Sequence, residues 1–105
     1  MMRAFSLGVA ALALLGTTTY AEVYTVTQAG KRFSERALEI GVGDTIIFVN
    51  DDEHTHNVHS ASDGNAFDLG AQAPGTESPV TFTSRGEVDV RCAIHPRMRM
   101  TVVVE

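Results

Sequence analysis

Residues 22–105 predict an all-β fold of seven or so short strands, a sandwich or barrel. Three observations carry that expectation. Apolar residues recur with period two, as half-buried strands require, and no stretch beyond residue 21 carries a helical stripe. Turn-forming groups punctuate the chain at Gly43-Asp44, Asp63-Gly64-Asn65, Ala73-Pro74-Gly75 and Ser84-Arg85-Gly86. With 105 residues there is room for one domain, and no repeat, linker or low-complexity segment marks a second.

Taken in order, the first segment reads as an export signal. Arg3 supplies a short positive start, residues 4–16 an apolar run, and Thr19-Tyr20-Ala21 the small residues a signal peptidase recognises, so cleavage is expected after Ala21. The run falls short of the roughly 20 residues a membrane span needs. No stable membrane insertion is therefore expected after cleavage. Strands follow at 23–27, at 37–42 with Leu38, Ile40 and Val42 on one face, and at 45–49, the last two joined through Gly43-Asp44. Further strands are expected at 57–60, 80–83, 87–92 and 100–104, with Ser84-Arg85-Gly86 closing a hairpin before the strand that leads to Cys92. Residues 66–72 fit either a short edge strand through Phe67 and Leu69 or a helical turn.

Arg3 is the sole basic residue before position 22, so residues 22–105 hold seven basic residues against 13 acidic ones, a formal charge of −6. That balance argues against a nucleic-acid partner. Arg91, Arg97 and Arg99 surround the Cys92 turn, while Asp51, Asp52 and Glu53 precede His56. Solvated faces account for most such runs; the alternative is that the basic group steers a partner with an acidic patch.

Cys92 is the only cysteine, so no internal disulfide can form in a chain whose leader points to an oxidising compartment. Metal ligation would protect the thiolate and link distant strands in the native state only. Cys92-Ala93-Ile94-His95-Pro96-Arg97-Met98 places a thiolate, an imidazole and a thioether within one turn, and His56-Asn57-Val58 offers a second imidazole upstream. Cu(I) favours soft sulfur and Cu(II) accepts imidazole, so Cys92, His56, His95 and a weak axial Met98 suit one mononuclear blue-copper ion per chain. Zinc draws on Cys, His and carboxylates, and the thioether argues for copper instead. If residues 54–60 are extended, His54, His56 and Val58 share one face and His59 the other. His54 is then a rival ligand, as Met100 is to Met98, although alternation with Val102 and Val104 assigns Met100 to the core. A thiol enzyme built on Cys92 and His95 would leave the Met98 spacing unexplained, and no enzyme activity is expected.

These motifs resemble the cupredoxins, and among them the amicyanin and plastocyanin-like group. The resemblance spans residues 22–105 and implies a Greek-key β-sandwich of about seven to eight strands. It rests on Val42-Gly43-Asp44-Thr45 leading into Ile46-Ile47-Phe48-Val49-Asn50, on His56-Asn57-Val58-His59, on Thr81-Phe82-Thr83 before Gly86, and on the Cys92 loop followed by Val102-Val103-Val104-Glu105. Two residues separate Cys92 from His95 and two more separate His95 from Met98, the short loop of the amicyanin type. The resemblance implies His56, Cys92 and His95 as ligands with Met98 axial. It also gives Asn57 a supporting role, its side chain tying the two ligand loops and its backbone N–H aimed at the thiolate. The chain departs from the pattern twice. Ala93 replaces the usual Ser or Thr, which leaves Asn57 only backbone to bond and predicts a looser tie. Ile94 replaces the usual proline and restores an N–H expected to donate to Cys92 Sγ, favouring Cu(I). The implied function is one-electron transfer by a monomer between periplasmic partners, a c-type cytochrome or a dehydrogenase among them, with His95 as the exit. A periplasmic copper chaperone or storage module is the alternative.

Overall fold

A computed structural model describes residues 20–105. The leader expected at 1–21 lies outside the described residues apart from its last two. Among the described residues nine strands form, and no helix: β1 (Val23–Ala29), β2 (Arg32–Phe33), β3 (Ala37–Ile40), β4 (Thr45–Asn50), β5 (His56–Ser60), β6 (Phe67–Gln72), β7 (Glu77–Thr81), β8 (Gly86–Arg91) and β9 (Arg99–Val104). Among the described residues no helix is long and apolar enough to cross a membrane.

The strands make two sheets, β2-β1-β4-β7 and β3-β9-β8-β5-β6. Period-two alternation decides what each presents to the core. Ile46, Phe48 and Asn50 of β4 are buried, as are Val88 and Val90 of β8 and Met100, Val102 and Val104 of β9. These inward residues meet Val26, Val58 and Phe82 between the sheets. Phe48 lies between two other rings, with centroids 6.3 Å from Phe33 and 6.2 Å from Phe67. β1 runs parallel to β4 and β3 parallel to β9, while the other pairs are antiparallel. One antiparallel pair positions the site: His59 of β5 lies opposite Arg91 of β8. Moving back from His59 to His56 therefore moves forward from Arg91 into the Cys92 loop.

Several expectations need correction. The turn at Ser84 does not close a hairpin, because β7 and β8 belong to different sheets. It is a crossing between them, pinned by Asn65, whose Oδ1 accepts the Thr83 and Ser84 N–H groups and whose Nδ2 donates to the Ser84 carbonyl. β7 also begins three residues earlier than expected and includes Pro79. An edge strand tolerates proline, since its missing N–H leaves no ladder bond unmade. β3 stops at Ile40, and Val42 is 47% exposed rather than on the core face. Residues 67–72 resolve as a strand at the sheet edge, not a helical turn. The two-residue β2 was not expected. It pairs with β1 across Gly30-Lys31, where both residues have positive φ (59° and 57°) as a tight primed hairpin turn demands.

The turn before β4 is fixed by Asp44, whose carboxylate accepts the Glu22 N–H at 2.8 Å and the Gly41 N–H at 2.7 Å. These two bonds, the Glu22 one foremost, hold its carboxyl below the usual carboxylate range. A carboxyl depressed on folding stabilises the fold above its unfolded pKa of about 3.9 and loses that contribution as pH falls through the folded value. Apo-protein stability should thus fall as pH drops below about 4, and Asp44→Asn should make that acid limb shallower while lowering the plateau. Urea midpoints measured across pH check this; superimposable profiles for the two proteins would contradict it.

Candidate metal centre

The loop after β8 folds back on itself. Met98 N–H donates to the His95 carbonyl at 2.9 Å and Cys92 N–H to the Met98 carbonyl at 3.2 Å, so the loop that leaves Cys92 returns to it at Met98. His56 enters from the start of β5 and is fully buried. The segment before it is fastened by Asn50, whose Nδ2 donates to the His54 and Gln72 carbonyls, both at 2.8 Å, and whose Oδ1 accepts the Asp52 N–H.

Two loops 36 residues apart in sequence therefore present their donors to one point. The Nδ1 atoms of His56 and His95 stand 3.1 Å apart, and Cys92 Sγ is 3.9 Å from His95 Nδ1. All three ligand atoms lie within 4.8 Å of one another. Metal–nitrogen and metal–sulfur bonds of about 2.0 and 2.3 Å span both measured gaps. A cysteine sulfur and two imidazoles, with the Met98 thioether buried in the same loop, are a soft and borderline donor set, which fits copper. Cys92 and Met98 are 2% and 1% exposed, so water is kept from the sulfurs, whereas His95 is only half-buried.

Neighbouring groups fix the donors in place. Asn57 N–H donates to Cys92 Sγ at 3.3 Å, as the resemblance implied. Its Oδ1 accepts the Ala93 N–H at 3.1 Å, so with alanine at 93 the tie between the loops is made through backbone, and its Nδ2 donates to Asp68 Oδ1 and the Gly70 carbonyl. On the far side of His56, Nε2 lies 2.9 Å from Asp52 Oδ2. The Lys31 N–H bonds the same carboxylate oxygen and, ahead of the His56 ring, holds Asp52 well below the usual carboxylate range. An ionised Asp52 accepts a hydrogen bond from Nε2–H, which leaves the Nδ1 lone pair facing His95. Partial desolvation first, then the nearby His56 and Lys31, depress the His95 pKa, which favours the neutral ring that a metal requires.

The sequence reading placed His56, Cys92, His95, Met98 and Asn57 in one cluster; the fold brings His56, Cys92, His95 and Asn57 together and buries Met98 at the end of the Cys92 loop. Ile94 is different. No hydrogen bond joins its N–H to Cys92 Sγ; among the described residues Asn57 is the one backbone N–H donor to that sulfur, because Sγ faces β5 while Ile94 lies on the surface, 50% exposed. His54 precedes β5 rather than extending it, and is exposed with its ring centroid 6.2 Å from that of His95. His59 stands apart, opposite Arg91. Met100 is a core residue, 2% exposed. Arg91 drops out of the basic group near the loop, since it pairs with Asp89 at 2.7 Å. Sequence reasoning missed Asp52, whose place four residues before His56 was the available signal.

Comparison with known proteins agrees with this geometry. A family model described as copper binding proteins of the plastocyanin/azurin family matches residues 21–105. Methylamine utilization protein MauL of Methylorubrum extorquens is 33% identical over 102 residues, 95% of this chain and 90% of that protein. Amicyanin of Paracoccus denitrificans is 35% identical over 80 residues, 73% of this chain and 61% of that relative. The solved structure of a reduced Cu(I) amicyanin variant at pH 4 superposes with a TM-score of 0.72 at 30% identity, over 87% of this chain and 88% of that one. A buried thiolate facing two imidazoles within this sandwich, and a family match across every described strand, make the chain a member of the plastocyanin/azurin family of copper-binding proteins.

Proposed function

We propose that this chain is an exported one-electron carrier that holds one copper ion through His56, Cys92 and His95, with Met98 as a weak axial ligand. The observation that carries the reading is the convergence of Cys92 Sγ with the Nδ1 atoms of His95 and His56, at 3.9 and 3.1 Å from His95. Copper, when bound, supplies the Cu(II)/Cu(I) couple. The protein contributes a nearly fixed donor set. Strand ends hold Cys92 and His56, and the three bonds of the Asn57 side chain join β5, β6 and the Cys92 loop, so the donors need move little when the charge changes. Half-buried His95 offers the path to the surface. Cleavage after Ala21 and a periplasmic location follow from the leader sequence. A c-type cytochrome or a dehydrogenase is the partner class, and the methylamine utilization named for one relative favours a donor of the second kind.

The copper-chaperone reading keeps one specific support, the exposed His54 beside His95. Voltammetry of the loaded protein and its incubation with an apo copper acceptor separate the two. A reversible couple with copper retained is expected; copper transfer within seconds and no reversible couple would overturn the carrier reading. Asp52→Asn should lower copper affinity about 10- to 100-fold by releasing the His56 tautomer, read by competition with a chelator. An unchanged affinity would show that Asp52 does not orient the ring.

A further inference from the structure

The metal centre is flanked on one side by unpaired positive charge. An open groove of about 550 Å³ runs beside His95 between the Gly30-Lys31 turn and the Ile94 to Met98 segment. Through Lys31, Arg32, Arg97 and Met98 it continues into a second groove of about 860 Å³ that reaches Arg36 and Arg99. Five exposed cations thus share one continuous surface, Lys31, Arg32, Arg36, Arg97 and Arg99, and among the described residues none forms an ion pair. They are five of the seven basic residues in a segment whose formal charge is −6, yet of its 13 acidic residues only Glu35 lines the grooves.

That concentration opposes the sign of the whole molecule, so it orients approach more than it attracts at a distance. The surface is also tied to the centre. Lys31 N–H and His56 Nε2 both meet Asp52 Oδ2, at 2.9 Å each, and buried Phe33 anchors the segment that carries Arg32 and Arg36. Ile94 and Pro96 give the end nearest His95 an apolar floor. The cations are spread over two joined grooves instead of converging on one point, which suits a carboxylate-bearing protein surface and not a small anion.

We propose that this groove is the docking surface for an acidic redox protein, whose carboxylates seat on the five cations while its redox centre faces His95. The proposal rests on the electron-carrier reading. It is tested by voltammetry of the copper-loaded protein on gold electrodes coated with carboxylate-terminated or amine-terminated monolayers. Net charge alone predicts faster exchange at the amine surface; the groove predicts faster exchange at the carboxylate surface. Arg32→Glu with Arg36→Glu, neither of them a ligand, should slow the carboxylate-surface rate about tenfold or more, while Arg85→Glu, outside the groove, leaves it unchanged. Faster exchange at the amine surface, or equal loss from Arg85→Glu, would overturn the proposal and leave the carrier reading standing. Concentration-dependent dimerisation abolished by the groove reversals would assign the surface to a second copy and overturn it too. Absence of a reversible couple on both surfaces and with soluble mediators would instead remove the carrier reading beneath it.

Discussion

Cys92→Ser should abolish the intense visible absorption of the copper-loaded, oxidised protein together with its reversible one-electron couple. The colour arises from thiolate bound to Cu(II), and Cys92 is the sole cysteine. A serine oxygen is a harder donor, stays protonated at neutral pH and cannot supply the covalent coupling of sulfur. The fold should survive. Serine still offers the Asn57 N–H an acceptor, and the change in buried volume is small, so apo stability should fall by about 1 kcal/mol. That separation matters, because loss of colour with the urea midpoint nearly intact isolates ligation from folding. Retained colour in the variant would mean that the chromophore lies elsewhere.

Phe48→Ala carries the largest stability effect expected. Phe48 is fully buried at the centre of the core, edge-on to Phe33 and stacked on Phe67, and its strand lies between β1 and β7. Removing a buried phenyl ring costs about 3–5 kcal/mol in transfer and cavity terms. Small domains have about 5–15 kcal/mol in total, so the apo variant should sit near its unfolding threshold at 37 °C. Copper binds the native state and should raise the midpoint again by linkage. Urea titrations with and without copper read both effects; a loss under about 1.5 kcal/mol would show that the core collapses to fill the space.

Much of this fold was legible because burial on one face writes itself into period two. β4, β8 and β9 alternate cleanly, and their inward residues were visible in the sequence. What escaped lacked that pattern. β2 has two residues, too few to alternate, and depends on a turn in which Lys31 adopts positive φ. Ser84-Arg85-Gly86 reads alike whether the chain returns within a sheet or crosses to the other, since turn residues encode local bending and not the destination.

The site divides in the same way. Side-chain chemistry and spacing pointed to Cys92, His95 and Met98, and the order of motifs added His56. Backbone direction is not written in residue type. Ile94 offered an N–H where proline has none, but Sγ faces β5 and takes its hydrogen bond from Asn57. Asp52 sat within Asp51-Asp52-Glu53, a run that resembles any solvated turn, and only the folded chain shows it bound to both Lys31 and His56. Arg91, Arg97 and Arg99 looked like one cluster, whereas folding pairs Arg91 with Asp89 and brings Lys31, Arg32 and Arg36 to the loop instead.

X-ray absorption at the copper edge tests most directly whether two remote loops enclose one ion through a single thiolate. On the loaded protein spanning residues 22–105, one short copper–sulfur distance together with two imidazole nitrogens is the expected first coordination shell. A shell of nitrogen and oxygen alone, with Cys92 still open to alkylation, would contradict it.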